Sequence, residues 1–293
     1  MKRDFLTGEE LGAFELGKLL DLAQELKAGR PDAGAGSLAG RSVGLLFEKP
    51  STRTRISFEV GVAELGATPI VLRGDESQLS RGESIADTAR VLSRYLAAIV
   101  IRSGSHEAVA ELAAEAEVPV VNALTPLHHP CQALADLLTL RERFGKLDGL
   151  RLAYVGDGNN VARSLAIAAE LSGVELVVAA PPGYQLEEGH GAKLTDDPRA
   201  AADSADAIYT DVWVSMGDEE EAERRRRDLA PFRVDDDLLS AAKDSAVVLH
   251  CLPAHPGEEI SAEVLYGERS AVWDQAENRL HTQKALLSML LEG

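Results

Sequence analysis

The sequence has few cysteines and no long apolar segment. Its 293 residues include two cysteines, Cys131 and Cys251, which are too few for the disulfide framework of a small secreted protein. No run of about 18 apolar residues occurs, which argues against a membrane-spanning helix. The N-terminal stretch MKRDFLTGEELG lacks the apolar core of a signal peptide. These absences predict a cytoplasmic protein with no membrane partner.

Positive charge is also scarce. The chain has 30 lysines and arginines against 48 aspartates and glutamates, a formal net charge of −18 at pH 7. Such a surface repels phosphodiester backbones and anionic lipids, so the composition argues against nucleic-acid and membrane partners. An anionic ligand would need local donors that overcome the unfavourable field of the whole chain.

The sequence lacks the spacings of the common metal and nucleotide motifs. No GxxxxGK[ST] segment occurs, and Val161 stands where a dinucleotide fingerprint starting at Gly156 would have its third glycine. Both strand-end residues have structural alternatives to zinc binding. Cys251 can be a small buried hydrophobic residue, and His250 can be a hydrogen-bonded residue of the core. We expect no metal, because the spacing of the candidate ligands does not match zinc sites. Those candidates are His128, His129, Cys131, His250, Cys251 and His255.

Short β-branched runs alternate with Ala-, Leu- and Glu-rich stretches along the chain. This alternation predicts an α/β protein whose parallel sheets are flanked by helices. Because the runs are nearly continuous in apolar residues, both faces of each sheet should be buried. Nine strands are predicted, at 42–47, 69–72, 97–101, 119–121, 151–155, 175–179, 206–210, 246–249 and 270–273.

The predicted strands fall into two groups, four before residue 122 and five after residue 150. The segment between the groups, CQALADLLTLRERFGKLDG, has a helical pattern. We therefore expect two domains, residues 1–146 and 147–276, each with a parallel sheet and linked by interdomain helices. A C-terminal helix over 277–293 is predicted to pack back on the first domain.

A charged run, DEEEAERRRRD (218–228), has glutamates and arginines four residues apart. Pairs at this spacing lie on one face of a helix. The run therefore predicts a solvent-exposed helix rather than a nucleic-acid patch. Its expected ion pairs are Glu220–Arg224, Glu221–Arg225 and Glu223–Arg227.

Polar and reactive residues follow many of the predicted strands. In open α/β sheets, ligands bind beyond the carboxyl ends of the strands. The sequence therefore predicts a ligand site at these ends. The segments concerned include EKPSTRTR (48–55), HHPCQ (128–132), GDGNN (156–160), DVWVSMG (211–217) and HCLPAH (250–255).

The segment EKPSTRTR carries the wrong charges for the start of a helix. Ser51 or Thr52 can cap a helix, yet the first turn then contains Arg53 and Arg55. A helix N-terminus is already partly positive, so these guanidinium groups need an anion nearby. Helix N–H groups, hydroxyls and guanidinium forks together favour phosphate. Pairing with surface acids such as Glu48 is the alternative.

Four motifs in this order resemble the aspartate/ornithine carbamoyltransferase family: STRTR (51–55), HPCQ (129–132), DVWVSMG (211–217) and HCLP (250–253). The GDGNN, SMG and HCLPAH segments look like the ornithine branch. The resemblance covers essentially the whole chain. It implies a carbamoyl-phosphate domain followed by an ornithine domain, no cofactor, and a homotrimer, with further assembly of trimers left open.

The resemblance also implies the site residues. It assigns carbamoyl phosphate to Ser51, Thr52, Arg53, Thr54, Gln78, Arg102, His129, Gln132, Cys251, Leu252 and Arg279. It assigns ornithine to Asn160, Asp211, Ser215 and Met216. Gln78 is expected to come from a neighbouring subunit. The implied catalytic residues are Arg102, His129, Asp211 and Cys251.

The implied reaction transfers the carbamoyl group of carbamoyl phosphate to the δ-amine of L-ornithine, giving L-citrulline and phosphate, as in arginine biosynthesis. Three alternatives stay open at this point. They are transfer to another amine such as putrescine or N-acetylornithine, a catalytically inactive binding relative, and a zinc hydrolase. Turnover with a panel of amines and metal analysis separate them.

Overall fold

A computed structural model describes residues 2–74, 82–187, 190–215 and 219–292. The chain forms two compact units, Met1–Leu138 with Asn278–Gly293, and Thr139–Glu277. Each unit has one parallel sheet flanked by helices, which confirms the predicted fold class. Within the described ranges, no helix offers an apolar stretch of the length that a bilayer requires.

The first unit is built on a four-stranded sheet. Its strands are β1 (Ser42–Phe47), β2 (Thr68–Arg73), β3 (Ala98–Arg102) and β4 (Val120–Leu124). They pair in parallel in the order β2-β1-β3-β4. Parallel strands need crossover connections, which helices supply here. The helices are α1 (Ala13–Ala28), α2 (Thr52–Glu64), α3 (Ile85–Ser93), α4 (His106–Glu115) and α5 (Pro130–Phe144), the last leading out of this unit.

The second unit is built on a five-stranded sheet. Its strands are β5 (Arg151–Val155), β6 (Glu175–Ala179), β7 (Lys193–Thr195), β8 (Ala207–Thr210) and β9 (Val247–His250). They pair in parallel in the order β7-β6-β5-β8-β9. The helices are α6 (Asn160–Ser172), α7 (Pro198–Ala202), α8 (Ala222–Leu229), α9 (Asp236–Leu239) and α10 (Ala262–Leu265), with 3₁₀ turns at Glu219–Glu221 and Ala230–Phe232. The last helix, α11 (Val272–Glu292), starts in this unit, and its residues from Asn278 onward belong to the first unit.

The central strands are buried on both faces, as their apolar sequences predict. Every residue of β1 after Ser42 is buried, and so is every residue of β3 before Arg102. The edge strand β2 is instead partly or fully exposed throughout. Polar segments therefore begin where the buried strands end, and this positions the residues described below.

One predicted strand is wrong and one strand was missed. Residues 270–273 contribute a single bridge, Ser270 to Val248, and then enter α11. Their apolar character reflects burial of Ala271 and Val272 at the helix start. The missed strand, β7, has the sequence KLT and lies at the sheet edge, so it lacks the apolar run that marks a buried strand.

The predicted ion pairs of the charged run are also wrong. The α-helix begins at Ala222, so Glu220 and Glu221 precede it and cannot make i,i+4 pairs within it. Arg224 instead pairs with Glu221 at 2.5 Å. Arg225 is buried rather than solvated.

A buried ion pair joins two helices of the first unit. The Lys284 ammonium on α11 is buried and lies 2.8 Å from a carboxylate oxygen of Glu64 at the end of α2. Arg30 also donates to Glu64, at 2.9 Å. Burial acts to raise the pKa of Glu64, but the hydrogen bonds from Lys284 and Arg30 outweigh it and the pKa is lowered. The stabilisation from these contacts of Glu64 is present above about pH 4.3, the pKa of a glutamate in the unfolded chain. It is lost as the pH falls through the lower pKa of Glu64 in the folded protein.

We expect Glu64→Gln to lower the free energy of unfolding by about 3–5 kcal/mol, because it leaves the Lys284 ammonium buried without its counter-charge. Urea unfolding at pH 7 measures the change. The matched control is Glu59→Gln on the same helix, whose exposed pair with Arg55 contributes less than about 1 kcal/mol. The effect of Glu64→Gln should shrink below about pH 4. Equal losses in both variants at pH 7 would contradict this prediction.

Candidate functional site

Three guanidinium groups act on a buried histidine in the first unit. His129 is buried directly before α5. Its burial and the positive charges of Arg279, Arg102 and Arg53 hold the pKa of His129 well below its usual range. The imidazole is therefore neutral at pH 7 and has one N–H to donate. We call these four residues, with Ser51, Thr52, Thr54 and Gln132, the arginine cluster.

The first turn of α2 belongs to this cluster and lacks a side-chain cap. Ser51 occupies the N-cap position but makes no capping bond, and its Oγ instead accepts from Arg102 Nη1 at 3.1 Å. Thr54 is buried and accepts from Arg279 Nη2 at 2.6 Å. The first turn contains no acid. Because the first N–H groups of a helix have no intrahelical partner, this helix start suits an anion.

The two arginines of the first turn have different surroundings. Arg55 pairs with Glu59 at 3.0 Å, one turn along α2, so the surface-acid alternative is correct for Arg55. Arg53 is exposed, and no carboxylate of the described ranges lies within ion-pair distance of it. Glu48 accepts from the Ser103 hydroxyl at 2.6 Å and not from either arginine. The phosphate interpretation therefore concerns Arg53.

The remaining predicted residues of the first unit differ in their burial and in their hydrogen bonds, and one of them is not described. Gln132 is fully buried, and its Nε2 donates to Asp136 Oδ1 at 2.9 Å. Its Oε1 has no hydrogen-bond partner among the described residues, so this oxygen can accept from a ligand N–H. Thr52 is exposed at the start of α2. Gln78 lies outside the described residues.

An acid and a thiol are hydrogen-bonded at the ends of neighbouring strands in the second unit. Asp211 follows β8 and Cys251 follows β9. The Cys251 thiol donates to Asp211 Oδ1 at 2.9 Å, and Asn159 Nδ2 donates to Asp211 Oδ2 at 2.8 Å. Both carboxylate oxygens therefore have donors, which holds Asp211 in one orientation. We call Asn159, Asp211, Cys251 and Leu252 the acid–thiol cluster.

Sequence reasoning chose Asn160 and missed the role of Asn159. Asn159 is the N-cap of α6, and its Oδ1 accepts from the Val161 N–H at 2.9 Å and from the Tyr154 hydroxyl at 3.1 Å. The same amide orients Asp211 through Nδ2. Asn160 is the half-exposed first residue of α6. An asparagine directly before an apolar-periodic run is a capping signal, so the sequence did contain this information.

The turn after β9 fixes the position of the thiol. Leu252 has a φ of 59°, a left-handed conformation that a non-glycine residue seldom adopts. Its N–H donates to His250 Nδ1 at 2.9 Å, so the His250 proton lies on Nε2, which faces Glu259 Oε1 at 3.1 Å. His250 and Glu259 are both buried. The core-histidine alternative is therefore correct for His250, whereas no sequence signal pointed to Glu259.

Two further predicted residues lie near the end of a described segment. Ser215 is half-buried, and Met216 lies outside the described residues. Among the described residues, two groups of side chains have potential metal-ligand atoms within 4.8 Å of one another, but Glu258 pairs with Arg226 at 3.1 Å. The expectation of a metal-free protein stays a prediction, which metal analysis of the purified protein tests. The two groups are Asp211, His250 and Cys251, and His255, Glu258 and Glu259.

Known proteins are similar to this chain over nearly its whole length. The family model described as aspartate/ornithine carbamoyltransferase, carbamoyl-P binding domain, matches residues 3–142. The model described as aspartate/ornithine carbamoyltransferase, Asp/Orn binding domain, matches residues 148–290. The chain belongs to the aspartate/ornithine carbamoyltransferase family. The resemblance carried by the four sequence motifs is thus confirmed.

Individual relatives agree with this assignment. The ornithine carbamoyltransferase of Acidothermus cellulolyticus is 58% identical over 307 residues, covering 100% of this chain and 98% of that protein. The crystal structure of ornithine carbamoyltransferase from Thermus thermophilus is 46% identical with a TM-score of 0.93, covering 99% of both chains. That of Pyrococcus furiosus is 46% identical with a TM-score of 0.95, covering 100% of this chain and 98% of that one.

The two thiols of this carbamoyltransferase-family member lie in different environments. Cys131 is fully buried on α5 and donates to the Asn122 carbonyl at 3.4 Å. Burial raises the pKa of the Cys131 thiol to about 12. Cys251 is partly exposed. Because the thiolate is the reactive form, Cys131 should be inert in the folded protein.

We expect one thiol per chain to react with iodoacetamide at pH 8 in the native protein, and two after denaturation. Intact-mass spectrometry counts the adducts. Cys251→Ser is the control and should abolish labelling of the folded protein, because the pKa and burial of Cys131 both suppress its reaction. Rapid native labelling of two thiols would show this assignment to be wrong.

Proposed function

We propose that this protein transfers the carbamoyl group of carbamoyl phosphate to the δ-amine of L-ornithine, forming L-citrulline and phosphate. The observation that carries the proposal is the arginine cluster, in which three guanidinium charges act on a neutral, buried imidazole. Relatives named ornithine carbamoyltransferase, matched over the whole chain, support the choice of acceptor. The protein is thus a carbamoyl transferase.

The arginine cluster binds the phosphate of carbamoyl phosphate. The first N–H groups of α2 and the hydroxyls beside them donate to its oxygens, and the guanidinium forks supply charge-assisted bonds. Gln78 reaches the site from a neighbouring subunit in this proposal. The phosphate-binding side chains are Ser51, Thr52, Arg53, Thr54 and Arg279.

Three residues bind and polarise the carbamoyl group. Arg102 and the neutral His129 donate to the carbamoyl oxygen, which gains negative charge as the acceptor attacks. Each such donor contributes roughly 3 kcal/mol to the transition state. The buried Gln132 Oε1, which has no partner among the described residues, accepts from the carbamoyl NH₂.

The second unit binds L-ornithine. Asp211 provides the negative charge that an ammonium requires, while Asn160 and Ser215 supply neutral donors for the carboxylate and Met216 completes this set. The attacking δ-amine must be neutral. With an ordinary amine pKa of about 10.4, deprotonation at pH 8 costs roughly 3 kcal/mol, so orientation by Asp211 and Cys251 matters for the rate.

The chemical step forms a C–N bond and breaks a C–O bond. The lone pair of the δ-nitrogen attacks the carbamoyl carbon, and phosphate leaves with the electrons of the C–O bond. The nitrogen then loses one proton, which we assign to Cys251 and, through the bond between them, to the Asp211 carboxylate. Leu252 borders the reacting group.

A panel of amines tests the proposed function. Phosphate release from carbamoyl phosphate is measured with L-ornithine, putrescine and N-acetylornithine, and a blank without amine corrects for spontaneous hydrolysis. A site that hydrogen-bonds its substrate can reject an analogue lacking those groups by up to ~10⁴. We expect kcat/KM for L-ornithine to exceed both others by at least ~10³. Equal efficiencies for ornithine and putrescine would reject the acceptor, and no turnover with any amine would reject the function.

We expect Arg53→Ala to reduce the free energy of carbamoyl-phosphate binding by ~2–5 kcal/mol, because it removes a charged partner of the phosphate. Isothermal titration calorimetry measures the affinity, and circular dichroism checks the fold. Arg55→Ala is the matched control, since the Arg55 side chain pairs with Glu59. Near-native affinity in a folded Arg53→Ala protein would count against the phosphate assignment.

We also propose that the protein assembles as a homotrimer. The first unit exposes four large apolar side chains on or next to α2, β2 and α3: Ile56 (50%), Ile70 (39%), Val91 (47%) and Tyr95 (72%). Strand β2 is also the sheet edge. Exposed apolar residues at the edge of a sheet support an interface. A light-scattering mass of one chain in solution would overturn the trimer.

We place the reaction in the cytoplasm and in arginine biosynthesis, because citrulline is the carbamoylated form of ornithine that the family supplies to that route. Both cysteines are free, which suits a reducing compartment. Expression in a bacterium that lacks ornithine carbamoylation should restore growth without arginine. Failure of an active, soluble protein to restore growth would contradict the assignment.

A further inference from the structure

One arginine of the charged run is buried, although its neighbours are exposed. The side chains of Arg224, Arg226 and Arg227 are 56%, 43% and 75% exposed, whereas the side chain of Arg225 is 10% exposed. All four lie on α8 and have the same chemistry. The burial of one guanidinium therefore calls for a specific function at that position.

The Arg225 guanidinium joins three loops of the second unit. Its Nε donates to the Trp213 carbonyl at 2.6 Å. Its Nη2 forms a close ion pair with the Asp157 carboxylate. Its plane lies over the Tyr184 ring, with the central carbon 5.1 Å from the ring centroid. The Tyr184 hydroxyl donates to Asp228, which is also on α8, at 3.1 Å.

These contacts form a closed ring with the acid–thiol cluster. Asp157 precedes Asn159 by two residues, and Trp213 follows Asp211 by two residues. Asn159 and Asp211 are themselves hydrogen-bonded at 2.8 Å. Arg225 therefore bridges the same two loops that the Asn159–Asp211 bond joins, and the two loops are fixed at two points instead of one.

The third loop is packed closely against this ring. The Gly158 N–H donates to the Tyr184 carbonyl at 2.7 Å. A Cβ at Gly158 would lie 2.3 Å from the Leu186 backbone nitrogen, so the backbones touch at this point. Movement of Tyr184, on which Arg225 lies, would therefore be transmitted to the loop that carries Asn159 and Asn160.

We propose that Arg225 is a positioning residue for the amino-acid substrate, holding the loops of Asp211 and Asn160 in their binding geometry. The inference rests on the proposed function. The two contacts of Arg225 require a forked guanidinium group, because one side chain donates in two directions, to a carbonyl through Nε and to a carboxylate through Nη2. A lysine ammonium keeps the charge but is a point donor and cannot reproduce that arrangement.

A charge-conserving pair of variants tests the proposal. Arg225→Lys is expected to raise KM for L-ornithine by at least about tenfold, because a small displacement of binding groups can cost up to about 10² in rate. KM for carbamoyl phosphate should stay within about twofold, since Arg225 contacts the second unit's loops. Arg227→Lys, on the exposed face of α8, is the matched control and should leave both KM values within about twofold.

A second variant probes the same ring from the other side. Asp157→Asn should also raise KM for L-ornithine, and the double variant Arg225→Lys/Asp157→Asn should raise it no more than about the larger single effect, because both changes break one contact. If Arg225→Lys fails to fold, the KM of the Asp157→Asn variant for L-ornithine decides whether the proposal holds. If the increases in KM of the two single variants multiply in the double variant, the two residues act independently, and the proposed ring of contacts is wrong.

The outcomes separate this inference from the proposed function. If the wild-type protein forms citrulline and the folded Arg225→Lys and Asp157→Asn variants keep its KM for L-ornithine, the positioning role is wrong and the function stands. A parallel rise in both KM values would also reject the role, since it indicates general loss of structure. If the wild-type protein forms no citrulline, the function fails and this role fails with it.

Discussion

Positive charges held close together are the constraint on which the first unit depends. Burial and the positive charges of Arg279, Arg102 and Arg53 together keep the pKa of His129 well below its usual range. The three arginines lie beside the start of α2, where the helix dipole adds further positive charge. This arrangement is unfavourable by itself and becomes favourable when an anion binds, because ligand binding to the folded state adds to its stability. In our proposal, this local reversal of sign allows a chain of net charge −18 to bind a phosphate.

In our proposal the second unit meets the opposite requirement, because the L-ornithine assigned to it is a cation at neutral pH. One carboxylate, Asp211, is oriented by a thiol and an amide, so its charge is presented in a fixed direction. The nearby acid Asp157 is paired with Arg225, so our proposal assigns the substrate ammonium to Asp211. Under this proposal the two units bind substrates of opposite charge, the first an anionic donor and the second a cationic acceptor.

Sequence reasoning succeeded where the signal is local. The alternation of apolar strands with helices predicted two parallel sheets, which the structure confirms. The anion indicated by the two arginines in the first turn of α2 stays a prediction. Sequence reasoning failed where tertiary contacts decide. The short polar strand Lys193–Thr195 has no apolar run, and the ion pair between Arg225 and Asp157 joins residues 68 positions apart, a distance that no helical spacing rule covers. The contact of His250 with the buried Glu259 is likewise set by a loop whose conformation the sequence does not reveal.

The most direct test of this account is the effect of inorganic phosphate, the reaction product, on thermal stability. The melting temperature is measured in phosphate and in chloride at equal ionic strength, so that general screening is the same in both. If the arginine cluster is a phosphate site, phosphate at about 100 times its Kd should add about 2.7 kcal/mol and raise the melting temperature by about 4 °C. Identical melting temperatures in the two salts across the phosphate titration would contradict the claim that the repulsion among these arginines is relieved by a bound phosphate.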